Sequence, residues 1–330
     1  MCRMRVKCLC AVVVVLALTA VPVPAQQIAS AEQKSAEQQL VILDTDIGDD
    51  IDDAFALALL LRSPEVKLLG ITTAFGDTEL RARLVDRYLQ AVGRTDIPVT
   101  AGLQTPHSNV FTQEPYARQA PEREHPGSIK FLLEQIRAHP GQITLIAIGP
   151  LTNLRVAIQR DPATFRQLKR VVMMGGSVYR GYDGGNAKEI NQSPSPEWNI
   201  RCDPEGARAL LASGVSVFMM PLDSTQFRLT QNQLGTTLSH GSRLTDQLTL
   251  LYHQWTGADV FKLPTLFDPV AVTYALRPEL CPTQPIHLDV DEKGFTRPGP
   301  GTANAQVCLK SDESGFREFL LSRILDDAAH

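Results

Sequence analysis

The chain has 330 residues, 43% of them hydrophobic and 21% charged, with a formal net charge of -4. That balance describes a globular protein able to bury a sizeable core, and it argues against a disordered or fibrous chain. The mild negative charge, with no basic stripe and no RNA-binding motif, speaks against nucleic acid as a partner.

The N-terminus reads as a targeting segment. Arg3, Arg5 and Lys7 precede an apolar run from Leu9 to Ala20, and Val23-Pro24-Ala25 offers a small-residue cleavage site before Gln26. The run is short for a bilayer span, and nothing later in the chain reads as transmembrane, so stable membrane insertion is not expected. Residues 1–25 are thus expected as a signal peptide, 26–38 as a polar flexible linker, and 39–330 as the functional domain of a secreted or periplasmic protein. Cleavage removes three positive charges and no acids, leaving the mature chain at about -7. It also removes Cys2, Cys8 and Cys10. Cys202, Cys281 and Cys308 remain, without the paired spacing of a zinc site. Export permits a disulfide. Either Cys281 pairs with Cys308, both lying in the C-terminal segment, or all three thiols stay unpaired.

Leu40 to Leu43 is a short apolar strand ended by Asp44. Ile51 to Arg62 has helical periodicity and stops at Ser63-Pro64. Strands follow at 66–73 and 97–99, with an amphipathic helix from Glu79 to Val92 between them. Residues 103–126 read as a long surface loop. A helix at 128–138, a strand at 142–148, a helix from Thr152 and a strand at 171–174 come next. Residues 177–196 are rich in Gly, Asn, Ser and Pro without a period, and loops of that length are usually functional or disordered. Asp203-Pro204 starts a helix, since Asp caps and Pro suits the first turn. A strand at 215–222, helices at 244–255 and 268–276, short strands at 286–290 and 305–309, and a helix from about 314 complete the chain. Alternating strands and helices predict a single Rossmann-like α/β domain, a mostly parallel sheet with helices on both faces. Ligands sit at the carboxyl ends of such strands, so Asp44, Asp46, Gly149, Gly175 and Asp223 are expected along one rim.

Six aspartates fall within ten residues: Asp44, Asp46, Asp49, Asp50, Asp52 and Asp53. Helix capping accounts for about two of them. The others repel one another at the end of a buried strand unless a cation is present. An all-oxygen donor set favours calcium or magnesium over zinc. An EF-hand fails, because its twelfth loop position, counted from Asp44, is Phe55. A strand followed by Asp-x-Asp also resembles haloacid-dehalogenase-type phosphatases, but Gly48 stands where those usually have Thr or Val.

A better match is Val41-Ile-Leu-Asp-Thr-Asp-Ile-Gly48 followed by Asp52-Asp-Ala54. It resembles the opening motif of the inosine/uridine-preferring nucleoside hydrolases, with Asp49 and Asp50 as two extra residues. Gly70-Ile-Thr-Thr73, Ile148-Gly-Pro-Leu-Thr-Asn153, Met174-Gly-Gly176, Glu197-Trp-Asn199, Asp203-Pro-Glu205 and Asp268-Pro269 resemble later family motifs in the same order. The resemblance runs from about Leu40 to Leu276. It implies the nucleoside hydrolase fold and hydrolysis of the N-glycosidic bond of a ribonucleoside. It further implies a calcium ion held by Asp46, Asp53, the Ile148 carbonyl and Asp268, with Asp46 as general base on water. By the same resemblance Asp52, Asn191, Glu197 and Asn199 bind ribose hydroxyls, and a homodimer or tetramer is expected. On a segment expected to be extended, Glu197 and Asn199 would point to one side.

Two positions depart from the family pattern. Many members have His before the last metal aspartate, thought to protonate the leaving base, whereas this chain has Phe267. Its acid is then absent or moved; His107, Tyr179, Tyr182, Tyr252 and His253 lie in segments able to cover the site. Phe267 is expected to line the base pocket, favouring a base that departs without protonation, such as cationic nicotinamide. Asp77 stands where the family commonly has Asn and is a candidate substrate contact. Its other reading is a helix cap or a pair with Arg81. Two alternatives to the hydrolase remain at this stage: a ribosyl-ligand binding protein that keeps calcium without turnover, and a phosphatase with Asp44 as nucleophile.

Overall fold

The strand endings are what position a site in this fold, so the sheet comes first. A computed structural model describes Met1 and residues 38–106, 110–183, 192–259 and 262–326. The expected signal segment and linker lie outside the described residues apart from Met1 and Gln38, as do His107 and Asn191. Among the described residues the strands are β1 (Gln39–Thr45), β2 (Val66–Thr73), β3 (Val99–Ala101), β4 (Thr144–Ala147), β5 (Arg170–Met174), β6 (Val217–Met220), β7 (Thr283–Ile286), β8 (Leu288–Val290), β9 (Thr296–Pro298) and β10 (Ala305–Cys308).

Eight of them form one sheet in the order β3-β2-β1-β4-β5-β6-β10-β7. Neighbours run parallel, except that β7 is antiparallel to β10. The strand order reverses between β1 and β4, the switch point where doubly wound sheets open a crevice. Both faces are covered. Val41 and Leu43 pack into one core cluster and Ile42 into the other, which explains why β1 reads as a continuous apolar run. The helix Asp52–Leu61, joining β1 to β2, is buried from Asp52 through Leu60. It packs against the helices Asp268–Leu276 and Arg243–Thr256. That surrounding leaves it no polar face.

Several elements differ from the sequence expectation. The strand expected at 286–290 is divided at His287 between β7 and the β8–β9 hairpin. β7 is the last strand of the sheet and tolerates Pro285 for that reason. β6 ends at Met220, and Asp223 falls in a short helix, Leu222–Thr225. The long loop at 103–126 contains a helical turn, Glu114–Ala117. The helix Gln231–Leu238, closed by a Thr230/Gln233 capping box, was not expected. No described helix is long and apolar enough to cross a membrane.

Of the two cysteine alternatives, the structure has the pair. Cys281 and Cys308 form a disulfide with a Cα–Cα separation of 5.6 Å, and Cys202 is free. The bond joins the end of β10 to the segment leading into β7, the antiparallel edge. Closing a loop of 27 residues restricts the unfolded chain. The variant Cys281→Ser/Cys308→Ser is expected to lose about 3 kcal/mol in equilibrium urea unfolding. Unchanged stability would mean that the edge is held by packing alone.

Candidate active site

Strand β1 delivers Asp44 and Thr45 to the switch point, and a tight loop, 46–51, leads into the helix Asp52–Leu61. Two glycines permit its shape. Gly48 has φ +133°, and the Phe111 ring occupies the space a Cβ would need there. Gly149, just beyond β4, lies so close that a Cβ would stand 2.9 Å from both the backbone N and Oδ1 of Asp46. The loop is also tied from outside. Ile148 N donates to Asp44 O at 2.8 Å, and Asn153 Nδ2 donates to Asp44 Oδ1 at 2.8 Å and to Thr73 O at 3.0 Å.

Beneath the loop lies Arg81, fully buried. Its guanidinium donates to the carbonyl oxygens of Asp46 and Ile47, to Phe75 O at 2.7 Å and to Asp49 Oδ2 at 3.0 Å. The Phe111 ring packs on it 4.9 Å away. Phe75, whose carbonyl it holds, has φ +63°, a strained position for an aromatic residue. Arg81 was expected at most as a partner of Asp77, so its role was missed. The inserted Asp49 was the available sign, since an acid added to an acidic loop needs a counter-ion.

The carboxylates converge on one cleft of about 150 Å³, open to solvent. It is lined by Asp46, Asp49, Asp50, Asp52, Asp53 and Asp268, and also by Glu197, Trp198, Asn199, Tyr182, Phe267 and Met174. Asp52, Asp53 and Asp268 each present an oxygen within 4.8 Å of the others. Two helix N-termini supply them: Asp52 and Asp53 begin one helix and Asp268 the other, and Asp268 N donates to Asp52 Oδ2 at 3.3 Å. Burial pushes the carboxyl of Asp46 from 3.8 up to about 7, against the pull of Arg81. Burial and then mutual repulsion raise Asp52, Asp53 and Asp268 well above the usual range. Buried hard-oxygen donors that cannot ionise together fit a divalent cation of the calcium or magnesium kind.

Most expected site residues meet here: Asp46, Asp52, Asp53, Ile148, Glu197, Asn199, Phe267 and Asp268 all line the cleft. Asn191 lies outside the described residues. Three expectations are corrected. Asp77 is exposed, caps the helix Thr78–Ala91 by accepting from Leu80 N at 3.0 Å, and does not line the cleft. Glu197 and Asn199 do not sit on an extended segment. Glu197 caps the short helix Trp198–Cys202, accepting from Asn199 N and Ile200 N, and Asn199 Nδ2 reaches back to Ile148 O at 3.2 Å. Asp44 is fully buried outside the cleft lining, so it cannot serve as a phosphatase nucleophile. Its role is to join strand ends, with Thr72 and Asn153 bonded to its Oδ1.

The family model described as inosine-uridine preferring nucleoside hydrolase matches residues 41–318. The chain is 29% identical over 267 residues to uridine nucleosidase 1 of Arabidopsis thaliana, covering 74% of this chain and 76% of that protein. It is 30% identical over 277 residues to the pyrimidine-specific ribonucleoside hydrolase RihB of Escherichia coli, covering 77% and 84%. Among solved structures, the fold matches a plant nucleoside hydrolase with a TM-score of 0.74, 24% identity and coverage of 87% of this chain and 99% of that one.

The raised carboxylates set the sign of a stability test. An acid whose folded pKa exceeds its unfolded value contributes stability that is complete below the unfolded pKa and lost as pH rises through the folded one. For Asp46 that window runs from 3.8 to about 7. In chelator, Tm is expected to fall as pH rises across this window, and added calcium should remove the fall. A Tm that is flat or rising in chelator would show that burial and repulsion do not raise these carboxyls.

Proposed function

The chain belongs to the inosine-uridine preferring nucleoside hydrolase family and is an N-ribosyl hydrolase, and we propose that it is a secreted, calcium-dependent one that releases a free base from ribonucleosides. The observation carrying the metal assignment is the convergence of buried carboxylates at the switch point. Asp46, Asp53, Asp268 and the Ile148 carbonyl would hold the ion, and Asp52, whose carboxylate lies within 4.8 Å of those of Asp53 and Asp268, would be a further ligand or a sugar contact. When bound, a hard cation of this kind lowers the pKa of water and holds vicinal hydroxyls.

The remaining work belongs to the chain's own side chains. Asp46 takes a proton from the attacking water, a role open to a carboxylate that lines the cleft. As the C1′–N bond lengthens, the sugar gains oxocarbenium character, and the surrounding carboxylates stabilise that positive charge. Asn199, Glu197 and Asp52 face the cleft where ribose hydroxyls need partners. Arg81 holds the Asp46 and Ile47 carbonyls and so keeps the loop from shifting.

Secretion rests on the N-terminal sequence and is supported by the Cys281–Cys308 disulfide, which suits an oxidising compartment. A dimer or tetramer is proposed from the family alone. For the base, the named relatives point to pyrimidine nucleosides, whereas Phe267 in the cleft favours a base that departs neutral, such as nicotinamide.

Purified protein assayed on uridine, inosine and nicotinamide riboside, with calcium or with EDTA, tests this reading. Base release in calcium and its loss in EDTA are expected; full activity in EDTA would remove the metal. Asp46→Asn should lose roughly 10²-fold or more in kcat while still binding calcium. Near-normal turnover in that variant would end its role as base. Preference for inosine, together with an unaltered rate in Phe267→Ala, would reject the neutral-leaving-base reading.

A further inference from the structure

Phe267 cannot donate a hydrogen bond, so a base that leaves with negative charge, as uracil or hypoxanthine does, needs its donor from elsewhere. Of the side chains weighed for that work, Tyr179, Tyr182, Tyr252 and His253 are described, and among them Tyr182 alone lines the cleft. Tyr252 is committed elsewhere, its hydroxyl donating to Lys262 O at 2.9 Å. The Tyr182 ring meets Phe267 edge to face, with centroids 6.0 Å apart and planes at 82°. Tyr182 therefore sets a hydroxyl-bearing ring against the residue that lacks a donor.

The segment carrying Tyr182 is firmly built. Asp223 accepts from the backbone N of Val178, Tyr179 and Arg180 at 2.9, 2.8 and 3.2 Å. Gln226 accepts from Asp183 N at 2.7 Å and donates to Gly181 O at 3.0 Å, and Arg180 pairs with Asp183. Asp223 was expected along the rim with no chemistry attached; its work is to hold this segment.

The hydroxyl's partners suggest how it acts. Tyr182 Oη accepts from Trp198 N at 2.8 Å and donates to the Glu197 carboxylate. That carboxylate also accepts from Asn199 N, Gly176 N and Ile200 N. Four donors fill the lone-pair sites of a carboxylate. Three are backbone groups fixed by a helix start and a strand end. Tyr182 is the one donor that can leave without unfolding either.

We propose that Tyr182 is the hydrogen-bond donor to the departing base, released for that task when a ribose hydroxyl replaces it on Glu197. The inference rests on the hydrolase reading above. In the step, the C1′–N electron pair leaves with the base and spreads onto a ring nitrogen or carbonyl oxygen, which accepts the hydrogen bond from Tyr182. Water supplies the hydroxyl that bonds to C1′ and, by way of Asp46 and solvent, the proton the free base gains. Tyr182 keeps its own proton and ends as it began. Sugar recognition is thereby coupled to activation of the leaving group.

Tyr182→Phe keeps the ring and deletes the donor. It is compared with the wild type on the better of uridine and inosine, whose bases leave as anions, and on 4-nitrophenyl riboside, whose leaving group is stable without a donor. About a tenfold to hundredfold loss of kcat is expected on the nucleoside, with 4-nitrophenyl riboside hydrolysis within about twofold of wild type. Equal losses on both substrates would mean that the hydroxyl only positions Glu197, and no loss on either would mean it does nothing; each outcome overturns the proposal. A wild type inactive on every nucleoside would instead count against the hydrolase reading. An unchanged thermal melt of the variant separates these outcomes from misfolding.

Discussion

The cost of burying several like charges in one place governs this structure. Asp52, Asp53 and Asp268 bring oxygens within 4.8 Å of one another, with Asp46 in the same cleft. At that separation two full charges repel by roughly 3 kcal/mol even with the effective screening found in proteins. Left alone, such a cluster would keep its protons or push the loop into solvent. Neither outcome serves a site that must ionise a water and steady a positive sugar. The surrounding architecture consists of devices that hold the acids in place regardless.

Three devices are visible. Two helices begin at the cleft, and their N-terminal amides favour negative charge there. Arg81 puts a buried positive charge behind the loop, yet spends most of its donors on carbonyls and its ion pair on Asp49 rather than on the converging acids. It thus fixes the backbone and offsets only part of the site's negative charge. Asn199 and Asn153, which carry no charge, bridge to Ile148 O and Asp44 and so join β1, β4 and β5 at their ends. The net effect is a rigid pocket that remains short of positive charge, the condition under which a divalent cation binds most strongly.

Much of this was legible in the chain. β1, its aspartates and the helix after it follow from an apolar run, a glycine and a periodic segment in that order. The disulfide was left as one of two alternatives, because spacing alone cannot place two cysteines 5.6 Å apart. The extended reading of Glu197-Trp-Asn199 failed because Glu is not a typical cap; here its carboxylate reaches Asn199 N and Ile200 N and starts a helix that propensity would not predict. The helix Gln231–Leu238 did carry a readable Thr-x-x-Gln capping box. Arg81 left only the inserted Asp49 as a sign, for a different reason. Its partners are backbone carbonyls 34 and 35 residues away, and backbone groups leave no mark in a sequence.

The site divides physically into a part that cannot vary and a part that can. Sugar and metal chemistry depend on strand ends, helix starts and close glycine contacts, where shifting Asp46 would meet Gly149 at once. The base side is furnished differently: Phe267 precedes a helix, and Tyr182 rides on a segment suspended from Asp223 and Gln226. A residue on such a segment can be exchanged without disturbing the carboxylates. Losing a donor at Phe267 therefore need not abolish turnover, provided another donor reaches the same space from a neighbouring side chain. Tyr182 is anchored to do so, and its bond to Glu197 ties the adaptable wall to the fixed one. That single contact makes leaving-group assistance answer to whether a ribose is bound.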